Sequence, residues 1–309
     1  MDKVIKLYIE ENCKNTRLDK YLVSDEVLLE NVESISRAYI QKLIKDEKIL
    51  VNGRTVKSSY SLDGGEEIVI SIPEPIELEI IPEKMDLDIV YEDDDLVIIN
   101  KPKEMVVHPA PGHNTGTLVN GLMYHLKGNL SGINGVLRPG IVHRIDMNTT
   151  GLLVVCKNDK AHTCLAEQFK EHSITREYHA IVHNRFNNEA GTIDRPIGRN
   201  KNDRKKYAIV SDGKHAVTHY KVLENLKGNY SYISCRLETG RTHQIRVHMS
   251  SISHPLYGDE IYGPNKKANY TVGQALHAKK LGFIHPSTGQ YIEFDSELPE
   301  YFKKLLNTL

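Results

Sequence analysis

The chain has 309 residues, which by length alone suggests about two domains, and its 39% hydrophobic and 26% charged content is that of a globular protein. No apolar run approaches the roughly 20 residues that a membrane-spanning helix needs, and Met1-Asp2-Lys3-Val4 opens no signal peptide, so no membrane partner is expected. A net charge of -1 argues against a uniformly basic nucleic-acid binder, but it says nothing of how the charge is distributed.

In chain order, Val4-Ile5-Leu7-Ile9 alternates as a short edge strand would. Arg17 to Val23 reads as a helix with Leu18, Tyr21 and Leu22 on one face. Ser36 is the preferred cap of a second helix over Arg37 to Ile44, in which Ile40 and Ile44 share a face. Asn52-Gly53 between Ile49-Leu50-Val51 and Arg54-Thr55-Val56 is a hairpin signal, and a strand follows over Glu67 to Ile72. Two helices and a small sheet, with Arg17-Leu18-Asp19, Ser36-Arg37 and Val51-Asn52-Gly53, resemble the alpha-L RNA-binding module. That family usually has a glycine before its last strand; here Asp46-Glu47-Lys48 fills the segment and adds acid, which leaves a protein-interaction module as the alternative.

Residues 73–85, with Pro73, Pro75 and Pro82, read as a stiff acidic linker, and the second domain is expected over 86–309. Ten acidic residues fall between Glu74 and Asp95 against the single base Lys84; this run reads as solvated surface. Leu87 to Tyr91 and Leu96 to Asn100 form a hairpin with an acidic tip. Thr117 to Leu126 reads as a helix, with Leu118, Leu122 and Leu126 at i, i+4 and i+8. A helix capped by Asp159 presents Ala161, Leu165 and Phe169. Thr175 to His183 is β-rich. A basic loop follows, with seven Lys or Arg between Arg195 and Lys214, and it reads as a surface for RNA phosphate. Val217 to Leu223 pairs with Tyr230 to Leu237. Arg241 to Ile252 reads as a helix with Ile245, Met249 and Ile252 inward. Leu276 to Phe283 and Tyr291 to Phe294 are strands, and Glu300 to Leu309 is a helix. The sum is an α+β chain: a mostly antiparallel catalytic domain behind a small α+β module.

The chemistry concentrates in Ile141-Val142-His143-Arg144-Ile145-Asp146-Met147-Asn148-Thr149-Thr150-Gly151-Leu152-Leu153. It places one carboxylate in a loop between two apolar, strand-like segments, with an arginine two residues before it. A nearby cation favours the ionised carboxylate, which can serve as base, nucleophile or electrostatic stabiliser. An isolated Arg-x-Asp would be read first as a structural ion pair. This one is accompanied in order by Asn100-Lys101-Pro102 with Val107-His108-Pro109, by Arg176-Glu177-Tyr178, and by Gly240-Arg241-Thr242-His243-Gln244-Ile245-Arg246-Val247-His248. The four blocks together resemble the RluA/RluD family of RNA pseudouridine synthases, from about residue 87 to the end of the chain.

That resemblance implies an isomerase converting uridine in RNA to pseudouridine, with large-subunit ribosomal RNA as the expected partner. It implies Asp146 as the essential residue, attacking the sugar or removing a sugar proton; both routes stay open. Tyr178 becomes the candidate for stacking on the extruded base, and Arg246 the partner of Asp146. Arg241 and Arg246, five residues apart, would point about 140° apart on one helix, so Arg241 is left for phosphate or capping. Arg144 is assigned to the flipped nucleotide or its phosphate, which a planar guanidinium grips in bidentate fashion. His143 and His243 are grouped with the substrate-binding residues, although hydrogen-bond bracing suits them and His108 better. No metal is expected, since His243 and His248 lack the i, i+4 zinc spacing and Cys13, Cys156, Cys164 and Cys235 show no Cys-x-x-Cys. No cofactor is expected either. A reducing cytoplasm and a monomer complete the expectation. The alternative is a non-catalytic RNA-binding or ribosome-assembly factor on the same fold; a hydrolase using His143 and Asp146 would lack a nucleophile elbow.

Overall fold

A computed structural model of the chain describes residues 3–25, 28, 37–72, 80–110, 113–127, 129–132, 139–200, 203, 206–264 and 268–309. The expected cap Ser36, the prolines Pro73 and Pro75, and Lys201, Arg204 and Lys205 of the basic run lie outside the described residues. The chain separates into two compact units, Met1–Glu77 and Leu78–Leu309.

In the first unit, β1 (Lys3–Tyr8), β2 (Ile49–Val51), β3 (Arg54–Thr55) and β4 (Glu67–Ile72) form an antiparallel sheet in the order β1-β4-β2-β3. The alternation of β1 sends Ile5 and Leu7 inward and leaves Val4 in solvent. They pack with Leu18 and Leu22 of α1 (Leu18–Ser24) and with Ile40 and Ile44 of α2 (Arg37–Lys45). Between β2 and β3, Asn52 and Gly53 take φ of 48° and 72°, both in the left-handed region that a tight hairpin turn demands. Asp19 is fully buried and ties the helices together: Arg17 donates to both carboxylate oxygens, while Arg37 and Gln41 donate to Oδ2. Those hydrogen bonds, Arg17 first, hold the Asp19 carboxyl well below its ordinary pKa. The Arg17-Leu18-Asp19 and Arg37 pattern is therefore a structural clamp. After α2, Lys48 N–H reaches Leu43 C=O and Glu47 N–H reaches Ile44 C=O, with Glu47 at φ 57°. This is the left-handed helix cap usually given to glycine.

The second unit begins upstream of the expected boundary. Ile80 is buried in its core, Asn120 Nδ2 donates to Ile81 C=O at 2.9 Å, and the Glu83 carboxylate accepts the Gly116 N–H at 3.1 Å. Residues 80–85, read from the sequence as linker, pack against α3 (Leu118–His125). That helix is capped by reciprocal hydrogen bonds between Thr117 and Asn120.

A nine-stranded sheet organises this unit. Its strands are β5 (Ile89–Glu92), β6 (Leu96–Lys101), β7 (Thr150–Cys156), β8 (Thr175–His183), β9 (Ala190–Asp194), β12 (Val217–Leu226), β13 (Tyr230–Leu237), β14 (Leu276–Ile284) and β15 (Tyr291–Asp295). They run in the order β5-β6-β7-β14-β8-β13-β12-β9, with β15 against β14. Only β7 against β14 is parallel. The architecture is α+β with a mostly antiparallel sheet. β6 and β7 are covered on both faces, which is why they read as continuous apolar runs. Leu153 and Val155 join the core that holds α3 and α5 (Gln244–Ser251), whereas Leu152 and Val154 face Leu165 of α4 (Asp159–Lys170). The chain closes with α6 (Glu300–Thr308).

Four expectations are corrected. The cap of α4 is Asn158, whose side chain accepts the Ala161 N–H, and Asp159 instead accepts from Ser131. The helix expected from Arg241 starts at Gln244, because His243 adopts φ 57° and the Gln244 side chain accepts the Arg241 N–H. The loop after β8 contains β9 and a separate ribbon of β10 (Ile197–Arg199) and β11 (Tyr207–Ile209), hidden in the sequence by interspersed charges. The acidic hairpin tip is not simply solvated. Asp93 pairs with His285 at 2.7 Å and accepts the N–H groups of Asp95 and Leu96; Asp95 is itself buried and accepts from Asn158.

Candidate active site

The Asp146 loop is fastened residue by residue. On the far edge of β7, a strand would ordinarily accept the Val154 N–H; His143 Nε2 accepts it instead, at 3.0 Å, and its ring stacks on Phe169. Burial pushes the His143 pKa down to about 3, so the ring is neutral. Ile145 turns into the core. Thr149 N–H closes a turn onto Asp146 C=O. Lys101, fully buried at the end of β6, donates to the carbonyls of Pro102, Met105 and Met147. Thr150 meets His277, opposite it in register on β14, through Oγ1 and Nδ1 at 2.8 Å. Gly151, at φ 110°, lies so close to β14 that a Cβ would fall 2.3 Å from Ala278 O, so no other residue fits there.

From the opposite side, α5 delivers Arg246. Its Nη1 donates to Asp146 Oδ2 at 2.8 Å, and its Nε and Nη2 grip Asp259 at 2.7 and 2.9 Å. Asp259 is itself held by the N–H groups of Ile261 and Tyr262. Burial opposes charge on Arg246, but Asp259 and then Asp146 outweigh it and raise the guanidinium pKa above its ordinary value. Burial likewise opposes charge on Asp259, and Arg246 overrides it, so that carboxyl is lowered. Asp259 is consumed by the fork. Asp146 gives up only one oxygen; Oδ1 accepts no hydrogen bond among the described residues and lies 3.9 Å from His243 Nε2. His243 Nδ1 meets the Tyr262 hydroxyl at 2.9 Å, and burial lowers the His243 pKa against the pull of Asp146.

Asp146, Arg144, His243 and Arg246 border a cleft of about 390 Å³ together with His108 and Gln274, within the range of about 300–1,000 Å³ typical of ligand pockets. A narrower recess beside Asp146 is lined by Tyr178, Thr149, Leu237 and Arg241. Tyr178 is buried in β8, and its hydroxyl has no hydrogen-bond partner among the described residues. Arg144 is exposed at the rim and makes no hydrogen bond or ion pair among the described residues.

Two of the expected substrate-binding residues also make contacts with the protein itself. His143 turns its accepting nitrogen to the β7 backbone. Arg241 precedes α5 and donates Nε to His215 C=O at 2.9 Å. Two residues of the site escaped the sequence reading. Asp259 follows no periodicity and meets Arg246 only through the fold. Lys101 was visible in Asn100-Lys101-Pro102, but nothing in sequence says that its ammonium crosses to residue 147.

The RNA pseudouridylate synthase family matches over residues 95–251, which take in Asp146, Tyr178 and Arg246, and the S4 domain matches over residues 16–68. The uncharacterized RNA pseudouridine synthase YlyB of Bacillus subtilis (strain 168) is 51% identical over 305 residues, covering 99% of this chain and 98% of that protein. The chain belongs to the RNA pseudouridylate synthase family. Ribosomal large subunit pseudouridine synthase D of Pseudomonas aeruginosa (strain PAO1) is 41% identical over 297 residues, covering 92% of this chain and 91% of that one. The solved structure of human RNA Pseudouridylate Synthase Domain Containing 1 superposes with a TM-score of 0.57 at 28% identity, over 74% of this chain and 87% of that one. As a member of the family, the protein is an RNA pseudouridine synthase, an isomerase. Its N-terminal unit carries the S4 domain that the alpha-L resemblance anticipates.

Proposed function

We propose that Asp146 is the essential residue of this synthase and that its substrate is uridine in large-subunit ribosomal RNA. The observation that carries the reading is the Asp146 carboxylate at the cleft wall, one oxygen bound to Arg246 and the other without a hydrogen bond among the described residues. The reaction breaks N1–C1′, turns the uracil and joins C5 to C1′; a proton leaves C5 and N1 gains one, so the product is an isomer. It consumes no oxidant and no co-substrate. The target base must first leave its stack, at a cost of a few kcal/mol. Tyr178, beside Asp146, offsets that cost by stacking, worth roughly 1–3 kcal/mol per base. Asp146 Oδ1 then acts on the sugar, as nucleophile or as base. Arg246 keeps the carboxylate aimed without pairing both oxygens, because Asp259 engages its Nε and Nη2 and Nη1 reaches only Asp146 Oδ2. Arg144 at the rim takes the phosphate of the extruded nucleotide. The S4 unit is assigned to RNA binding, and the large-subunit substrate is supported by the names of relatives such as the Pseudomonas aeruginosa protein.

The test is pseudouridine mapping of total RNA from cells with and without the gene. One or more sites in large-subunit ribosomal RNA should lose pseudouridine in the deletion. Loss confined to transfer RNA would leave the isomerase and overturn the substrate.

A further inference from the structure

Next to the Asp146 recess, and sharing Arg144, Tyr178 and Arg241 with it, lies a second cavity of about 500 Å³. Its remaining wall includes Phe169, Lys170, His172 and Arg176, and no Asp or Glu lines it among the described residues. Arg176 is the unusual member. It is 6% exposed, donates Nη2 to Glu238 C=O at 3.0 Å, and its Nε finds no partner. Its guanidinium lies 5.6 Å from the Phe169 ring centroid, and no carboxylate among the described residues forms an ion pair with it. The adjacent Glu177 pairs with His179 at 3.2 Å, and the carboxylate of Glu238 is engaged with His219 at 2.6 Å. A buried guanidinium without a counter-charge is costly, and here further cations share the same space. His172 is held at φ 59°, a strained position for a non-glycine residue. A cavity of this size and charge, continuous with the Asp146 recess, suits an anion.

We propose that this cavity binds a backbone phosphate of the RNA strand next to the extruded uridine, gripped by Arg176 and Lys170 with Arg144 and Arg241 at its mouth. The proposal rests on the reading of the Asp146 cleft as an RNA site. A strand that places its target base beside Asp146 continues through the shared wall, and its next phosphate meets Arg176. The plain structural alternative for Lys170 is that a cation in the last turn of α4 complements the helix dipole. That role would affect stability but not the salt dependence of binding.

The experiment measures binding of unmodified ribosomal RNA, taken from cells lacking the gene, by the full-length protein across a salt series. Lys170→Ala and Lys170→Glu are compared with Lys227→Ala, a control on the exposed turn between β12 and β13. Each phosphate contact to a single strand contributes about 0.7 to the slope of log affinity against log salt. Lys170→Ala should lower the slope by about that amount and weaken binding several-fold at low salt. Lys170→Glu should weaken it further, and Lys227→Ala should do neither. A slope for both Lys170 variants equal to that of the wild type overturns the phosphate site while leaving the synthase reading intact. A wild-type protein that makes no pseudouridine in this RNA overturns the substrate reading instead, whatever the slopes show.

Discussion

At the scale of single residues, the site is an arrangement of three charges in which one guanidinium serves two carboxylates unequally. Asp259 takes two donors and Asp146 one. Removing Asp259 would leave a buried arginine half-paired, and breaking a buried ion pair costs about 3–5 kcal/mol. Asp259→Ala should therefore lower the unfolding free energy by roughly 3 kcal/mol in urea titration and depress turnover through a misplaced Arg246. Turnover and stability both unchanged would show that the fork is dispensable. The Asp146–Arg246 pairing was legible before the fold was known, because the four motif blocks favoured Arg246 over Arg241. The separation of about 140° expected for Arg241 and Arg246 on one helix does not apply, since Arg241 precedes α5. Asp259 was illegible: its partner is fixed by how residues 256–263 fold back on α5, and no periodicity records that.

At the scale of elements, the amphipathic stripes of α3, α4 and α5 were readable because their leucines, isoleucines and methionine recur at helical spacing and face one sheet. Their ends were not, being set by single side chains such as Asn158 and Gln244. One end makes a direct prediction. Glu47 occupies a left-handed cap, where a non-glycine residue pays about 1 kcal/mol or more. Glu47→Gly should raise the midpoint of thermal unfolding of the N-terminal unit by a few degrees; a fall would mean that the glutamate side chain supplies more than the backbone loses. A second prediction concerns the parallel join of β7 and β14. His277 is fully buried between Thr150 and Ser296, and burial lowers its pKa to about 3 from an ordinary 6.5. The fold thus prefers the neutral ring, and the unfolded chain binds a proton first as pH falls. Its contribution is fully present above about 6.5 and is lost as pH drops from there toward 3, with a slope of up to about 1.4 kcal/mol per pH unit. Urea titrations between pH 7 and 4.5 should show a shallower pH dependence for His277→Gln than for wild type. Equal slopes would place the acid sensitivity in other histidines that burial lowers in the same way, His143, His162 and His248 among them.

At the scale of the whole molecule, the two units carry separate cores, and each can be understood without the other. The alternation of β1 and the Asn52-Gly53 turn made the first unit readable. In the second, β6 and β7 were readable as apolar runs and β5 as the hairpin partner of β6, but the join of β7 to β14 was not, because it spans more than a hundred residues. A chain of residues 78–309 should fold alone and still form pseudouridine, with KM for ribosomal RNA raised at least several-fold and kcat little changed. A KM equal to that of the full chain would remove the S4 unit from substrate binding.

The central claim is that one carboxylate performs the isomerisation on a fold that binds RNA without it. It is tested most directly by single-turnover pseudouridine formation and RNA affinity measured side by side for wild type and Asp146→Asn, which preserves shape and removes charge. Pseudouridine should be undetectable in the variant while its affinity for ribosomal RNA stays within about threefold, a difference under 1 kcal/mol. Residual turnover near the wild-type rate, or loss of affinity in step with loss of turnover, would contradict the assignment of Asp146 as the reacting group.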